Sequence, residues 1–129
     1  MKYFDEDYLE IHWNENGKYV LMMWKGFAQG DSYRLGLNKG LELIESKKSN
    51  CWLADLREMK VLSLEDQDWS NNDWFPRAIK GGIRKMAIVL PTSSLGKIGV
   101  KSIMKKVGGI EIETSYFPTI KEAEKWLQI

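Results

Sequence analysis

Three short segments are apolar at almost every position, and they limit the fold more than any other feature of this sequence. They are KYVLMMWK, CWLADL and RKMAIVL, at residues 18–25, 51–56 and 84–90. Strands with apolar residues on both faces are typical of parallel sheets that helices cover on both sides. Between these segments the apolar residues recur with the period of a helix, so we predict strands that alternate with helices.

The start of the chain predicts an antiparallel hairpin. Residues 8–14 alternate, with Leu9, Ile11 and Trp13 on one face, as in a strand that buries a single face. A turn at ENG, residues 15–17, joins this strand to the first apolar segment. We expect the first strand of the hairpin to be an outer strand, whose exposed edge or face would allow a homodimer.

The next segment, between the first two apolar segments, predicts a long helix. Its apolar residues fall on one face, at Tyr33, Leu37, Leu41 and Ile44. Gly36 and Gly40 lie near that face. Each glycine costs about 1 kcal/mol of helix stability against alanine, so we interpret the pair as allowing close approach to the sheet.

Three further helices and one more strand complete the predicted elements. A second helix begins at Ser63, a third covers residues 93–107, and a fourth begins at Thr119. Serine and threonine at these positions accept a hydrogen bond from the first turn of a helix. A fifth strand is predicted at residues 110–117. We expect the second helix to pause at SNND, residues 70–73.

The resulting order is ββαβαβαβα, which predicts the α/β class. We expect a mixed five-stranded sheet, an N-terminal hairpin followed by parallel strands, flanked by four main helices. A chain of 129 residues is typical of one domain, so we expect a single domain over residues 1–129.

Composition argues against several classes of protein. The 19 basic and 18 acidic residues nearly balance, so we expect no nucleic-acid binding. No apolar stretch approaches the ~20 residues of a membrane-spanning helix. The acidic start of the chain lacks the apolar core of a signal peptide, and a single cysteine, Cys51, cannot form an intramolecular disulfide. We therefore expect a cytoplasmic protein.

Four segments carry a resemblance to a known group of proteins. ADLREM, LSLEDQDW, WFPRAIKGG and KMAIVL resemble the bacterial SpoIIAA-like stand-alone proteins, which have the STAS fold and are described as also resembling lipid-binding CRAL-TRIO domains. The resemblance covers nearly the whole chain. It implies a STAS-like fold and a non-enzymatic regulatory or protein-interaction module with an unknown protein partner and no cofactor.

The resemblance also bears on phosphorylation. In STAS anti-sigma-factor antagonists, a serine at the start of the helix after the third strand is phosphorylated. The matching position in this sequence is Leu64, which has no hydroxyl group, and Ser63 stands one residue earlier. Ser63 suits the cap of a helix. We therefore expect a module that is not switched by serine phosphorylation in the usual position.

Candidate ligand- or partner-binding residues gather where the inner strands are expected to end. They are Asp55, Arg57, Ser63, Asp66, Gln67, Trp69, Trp74, Phe75 and Arg77. The carboxyl edge of an α/β sheet is where ligands usually bind, arginine suits an anionic group, and the aromatic residues would line a pocket for a small apolar ligand or lipid. The structural alternative is an Asp55–Arg57 or Asp66–Arg77 ion pair that only fixes the loop.

A basic helix face is the second candidate surface. Lys97, Lys101 and Lys105 are spaced i, i+4, i+8, in a stretch from residue 74 to 110 that contains no Asp or Glu. Such a face suits an anionic partner or a lipid headgroup. The structural alternative is a solvated helix face.

No residues point to a metal site or to catalysis. His12 is the only histidine and Cys51 the only cysteine, which are too few for a typical zinc site. Nothing in the sequence places a nucleophile beside a base. We expect no metal, no cofactor and no enzyme activity.

Overall fold

The apolar segments form consecutive strands in one sheet of the computed structural model, which describes residues 2–60, 62–91 and 112–128. The strands are β1 (Lys2–Glu6), β2 (Leu9–Asn14), β3 (Tyr19–Gly26), β4 (Cys51–Met59), β5 (Lys85–Val89) and β6 (Glu113–Phe117). The helices are α1 (Asp31–Lys47), α2 (Leu64–Trp69), α3 (Phe75–Lys80) and α4 (Ile120–Leu127), with a π-helical turn, Ser70–Trp74, between α2 and α3.

The sheet order follows the chain order, from β1 to β6. The pairs β1–β2 and β2–β3 are antiparallel, whereas the pairs β3–β4, β4–β5 and β5–β6 are parallel. This confirms the α/β class and an N-terminal hairpin followed by parallel strands. The predicted fifth strand corresponds to β6.

The prediction of five strands was wrong, because the acidic N-terminal segment forms an additional strand. β1 pairs with β2 in the register Phe4↔Ile11 and Asp5↔Glu10. Tyr3 and Phe4 are partly buried and pack against the core, which gives this charged segment an apolar anchor. Because β1 covers the edge of β2, the first strand of the predicted hairpin is not the outer strand of the sheet.

The helices also differ from the prediction. The helical segment after β4 does not pause at residues 70–73 but continues through the π-helical turn into α3. The helix predicted at residues 93–107, with Lys97, Lys101 and Lys105, lies outside the described residues. None of the helices in residues 2–60, 62–91 and 112–128 has the length and apolarity needed to cross a bilayer.

The two faces of the sheet carry separate cores. Trp52 and Ala54 of β4 belong to the larger core, with residues of α1 and α3. Leu53, between them in sequence, packs on the opposite face with Ala123 and Leu127 of α4. This alternation confirms that the inner strands are buried on both faces.

Two glycines allow α1 to lie directly on the sheet, as predicted. A Cβ atom on Gly36 would come within 2.5 Å of Leu9 and 2.6 Å of Trp24. A Cβ atom on Gly40 would come within 2.5 Å of Trp52. Real Cβ contacts are never this short, so both positions need glycine at this helix-to-sheet separation, and α1 is thereby held at the larger core.

Candidate functional site

Two loops meet at the carboxyl ends of β3 and β4. The backbone N–H of Lys60 donates to the carbonyl of Gly26 at 3.0 Å, and the N–H of Gly30 donates to Oδ2 of Asp66 at 2.9 Å. Residues 26–30 are therefore tied to Lys60 and to residues 62–66, and we call these residues the loop edge. Parallel strands end at the same side of a sheet, which is why these segments are neighbours.

Asp66 is the buried centre of the loop edge, with 1% of its surface exposed. Its carboxylate accepts the hydrogen bond from Gly30, the residue before the first turn of α1. Gly30 has no side chain to cap the helix and adopts φ 56°. Asp66 thus supplies from another element the negative group that a helix N-terminus favours.

Ser63 is the N-cap of α2, as predicted. Its Oγ accepts a hydrogen bond from the backbone N–H of Asp66 at 3.2 Å. The following residue, Leu64, is the first of α2 and is 70% exposed. Gln67 faces back into the loop, where its Nε2 donates to the carbonyl of Leu62 at 3.0 Å. Ser63 therefore caps the helix, whereas the adjacent Leu64 presents an apolar side chain to solvent.

Asp55 and Arg57 form the predicted ion pair. Arg57 Nε donates to Oδ1 of Asp55 at 2.9 Å, and Nη2 donates to Oδ2 at 3.0 Å. The backbone N–H of Arg57 also donates to Oδ1 at 3.2 Å. Asp55 is buried, and its hydrogen bond raises the pKa of the Arg57 guanidinium. The two parallel hydrogen bonds therefore give this pair a structural role within β4.

The other suggested pair, Asp66 with Arg77, does not form. Arg77 Nη2 instead donates to Oδ2 of Asp73 at 3.0 Å and to Oδ1 of Asn38 at 2.9 Å. Asp73 lies one helical turn before Arg77, so these two side chains share a helix face. The nearest guanidinium to Asp66 belongs to Arg34 of α1, whose Nε is 3.7 Å from Oδ1.

Trp69 lies against two guanidinium groups. The ring centroid is 5.4 Å from Cζ of Arg34 and 5.8 Å from Cζ of Arg77. The Tyr33 ring contacts Trp69 edge-on, with centroids 6.2 Å apart. We call Arg34, Trp69 and Arg77 the tryptophan cluster. Sequence reasoning missed Arg34, since only the packing of α1 against α2 brings it there.

Trp74 and Phe75 line an apolar cavity of about 70 Å³ in the larger core. Trp74 is almost fully buried, and its Nε1 donates to the carbonyl of Leu37 at 3.0 Å. The other lining residues are Trp24, Tyr33, Leu37, Trp52, Ala54, Leu56, Met59, Leu62, Met86 and Ile88. Trp69, which was expected to line the same pocket, is not among them.

Comparison with known proteins identifies the fold. No protein-family model and no curated protein matches the chain. A similar structure is the crystal structure of an uncharacterised DUF3478-family protein with a SpoIIAA-like fold from Shewanella loihica PV-4, at a TM-score of 0.61 and 18% identity. The match covers 92% of this chain and 91% of that chain. The fold is SpoIIAA-like. The resemblance noted in the sequence is thus confirmed at the level of fold.

The loop edge lies at the carboxyl ends of β3 and β4, the side of an α/β sheet where ligands usually bind. In the part of the chain that the structure describes, no three His, Cys, Asp or Glu residues are placed to hold a metal ion. The chemistry offered here is exposed apolar surface at Leu64, a buried carboxylate at Asp66 and cationic aromatic surface at Trp69.

Proposed function

We propose that this protein is a non-enzymatic protein-interaction module of the STAS type, and that its partner binds the loop edge. The observation that carries the proposal is the exposure of two large apolar side chains there. Phe27 is 67% exposed and Leu64 is 70% exposed. Large exposed apolar side chains that lie near each other mark protein-interaction surfaces more often than isolated ones do.

The backbone around these two residues supports the proposal. Phe27 and Leu64 lie on segments that are joined by the Lys60–Gly26 and Gly30–Asp66 hydrogen bonds. These hydrogen bonds restrain the segments that carry the two exposed side chains. A surface that is ordered before binding loses less conformational entropy when the partner arrives.

The same geometry favours a module without a serine switch in the usual position. Leu64 occupies that position, and the neighbouring Ser63 hydroxyl already accepts a hydrogen bond from the backbone of Asp66. We therefore infer that Leu64 serves as a permanent apolar contact.

A small-molecule or lipid ligand is the second candidate, and the apolar cavity between α1 and the sheet favours it. The cavity volume is about 70 Å³, whereas pockets for drug-sized ligands begin at about 300 Å³. A lipid would therefore require the cavity to open. Native mass spectrometry of the purified protein tests this candidate: a small apolar mass that leaves on denaturation supports it, and a bare chain counts against it.

Site-specific photo-crosslinking tests the interaction proposal. The photoreactive residue p-benzoylphenylalanine is placed at position 64 and, as a matched control, at Tyr116, an exposed aromatic residue of β6. We expect the same protein to be captured repeatedly from position 64 and not from position 116. That protein is then purified and its affinity for the unmodified chain is measured.

Substitutions decide whether the captured protein is a specific partner. We expect Phe27→Ser and Leu64→Ser each to weaken binding about tenfold or more, as for central apolar contacts, while Tyr116→Ser changes little. Thermal unfolding of each variant checks that the fold is intact. Equal binding by all three folded variants would exclude the loop edge as the contact.

A further inference from the structure

The guanidinium group of Arg34 lacks hydrogen-bond acceptors. Its Nε is buried without a hydrogen-bond partner, since Oδ1 of Asp66 lies 3.7 Å away. The two Nη atoms make no hydrogen bond to any residue in the described part of the chain. A guanidinium has five N–H donors, and donors without acceptors cost free energy. The side chain is nevertheless 39% exposed, so an anion in solution can reach it.

Arg77 also lies against the Trp69 ring and has further donors. Only its Nη2 is used, for Asn38 and Asp73, and among the residues described no acceptor faces its Nε or Nη1. Its side chain is 42% exposed. Arg34 and Arg77 approach the same indole, that of Trp69. The tryptophan cluster therefore combines unused donors in forked geometry with an apolar surface.

The local charge selects the kind of anion. Arg34 and Arg77 are balanced by Asp66 and Asp73, which lie within 3.7 Å and 3.0 Å of them. The four formal charges sum to zero, so a dianion would meet the field of the buried Asp66 carboxylate. A monoanion is opposed less strongly. A carboxylate also matches the planar fork of a guanidinium, which donates two parallel hydrogen bonds to the two carboxylate oxygens.

We propose that the tryptophan cluster is a binding site for a carboxylate group, with the apolar carrier of that group packed on Trp69. A free organic acid and an acidic side chain of another protein both present this chemistry. The site lies on α1, α2 and α3 and does not require that Phe27 or Leu64 contact a partner, so it is independent of the proposed function.

NMR of the ¹⁵N-labelled protein tests the proposal directly. Sodium benzoate is titrated at constant ionic strength while the arginine Nε–H and tryptophan Nε1–H signals are followed. We expect saturable shifts at Arg34, Arg77 and Trp69. Inorganic phosphate is titrated in parallel and is expected to bind at least about tenfold more weakly, because its second charge faces Asp66.

Three variants control the experiment. Arg34→Gln is expected to weaken benzoate binding about tenfold or more, since it removes charged donors. Arg34→Lys keeps the charge but not the fork and should also weaken binding. Lys39→Gln removes an equal charge from the same helix and should leave binding unchanged. The amide spectrum of each variant shows whether it is folded. If a variant does not fold, the titration of the unsubstituted protein still tests the proposal.

The outcomes are distinct. Absence of saturable shifts, equal affinity for phosphate, or equal affinity in the folded Arg34→Lys variant would each overturn a carboxylate site of this geometry. Comparison of benzoate with N-acetyl-aspartyl-leucinamide identifies the source. Tighter binding of the dipeptide indicates a protein side chain, and tighter binding of benzoate indicates a free acid; both support the proposal.

Discussion

Two buried carboxylates near the end of β4 face arginines, but only one of them is hydrogen-bonded to its arginine. Asp55 is closed by Arg57 through two side-chain hydrogen bonds of 2.9 and 3.0 Å. Asp66 instead accepts from the backbone of Gly30 and keeps Arg34 at 3.7 Å. The first pair is two residues apart on one strand, where side chains share a face. The second joins two helices.

The difference separates a structural pair from a candidate site. Asp55 and Arg57 satisfy each other, because Nε and Nη2 of Arg57 each donate to one carboxylate oxygen of Asp55. Asp66 is oriented by the N-terminus of α1, which leaves Arg34 lying on Trp69 with unused donors. Asp66 uses Oδ2 for the N–H of Gly30, and its Oδ1 stays 3.7 Å from Arg34 Nε, so this pair is not closed by a hydrogen bond.

The largest expected effect comes from removing the carboxylate that joins the two helices. Asp66→Ala leaves the N–H of Gly30 without an acceptor and the Arg34 guanidinium without its nearby counter-ion. We expect a loss of about 2–4 kcal/mol in the free energy of unfolding, measured by urea denaturation. Asp66→Asn keeps an acceptor for Gly30 and should cost less; equal losses would show that the cap is unimportant.

The arginines themselves provide the sharpest test of the comparison. Arg57→Ala leaves the buried Asp55 without its two side-chain donors, and we expect a loss of about 2 kcal/mol. Arg34→Ala breaks no hydrogen bond to a described residue, and we expect less than about 1 kcal/mol. Both are measured by urea denaturation. If Arg34→Ala lost more unfolding free energy than Arg57→Ala, the Arg34–Asp66 pair would stabilise the fold more than the Asp55–Arg57 pair, contrary to this comparison.

The cap of α2 should have an intermediate effect. Ser63→Ala removes the acceptor for the backbone N–H of Asp66, and we expect a loss of about 1 kcal/mol. Ser63→Thr retains a hydroxyl group and serves as the control. If Ser63→Ala were as stable as Ser63→Thr in thermal unfolding, the hydrogen bond would not position Asp66.

A third acidic residue, on β2, gives the smallest effect and a reference for solvent-exposed pairs. Hydrogen bonds from Lys25 and His12 lower the pKa of Glu10 to about 2, well below the usual value for a glutamate. A carboxyl group with a lowered folded pKa adds stability above its unfolded pKa, and this stability is lost as the pH falls through the folded pKa.

We therefore expect Glu10 to stabilise the fold above about pH 4.5 and to lose that contribution towards about pH 2. Unfolding of the native protein and of Glu10→Gln is compared across this range. The difference in stability between the two should shrink as the pH falls. A difference that is constant with pH would show that Glu10 acts through packing.

Much of the fold was predictable because its signals are local. The alternation of Leu9, Ile11 and Trp13, the apolar inner strands and the caps at Ser63 and Thr119 depend on residues close in sequence. The prediction failed at β1, whose charges concealed a strand that Tyr3 and Phe4 anchor. It also failed at residues 70–73, where a π-helical turn replaces the expected pause.

The candidate site was predictable only in part. The Asp55–Arg57 pair was one of two ion pairs that the sequence suggested, and Ser63 was expected as a cap from its position before α2. The partner of Asp66 was not predicted, because Gly30 lies 36 residues away in the chain. The sequence also did not predict that Trp74 lines the cavity and Trp69 does not. Both residues belong to one helical segment and differ only in the direction they face.

The sequence by itself determined the order of the strands from β2 to β6, the burial of the inner strands on both faces and the chemistry available after β4. These follow from apolar periodicity and capping, which act over a few residues. Only the tertiary structure decided which charges meet. Gly36 and Gly40 set how closely α1 lies on the sheet, and that approach brings Gly30 to Asp66 and Arg34 to Trp69. Contacts between elements depend on packing geometry, and no local pattern encodes them.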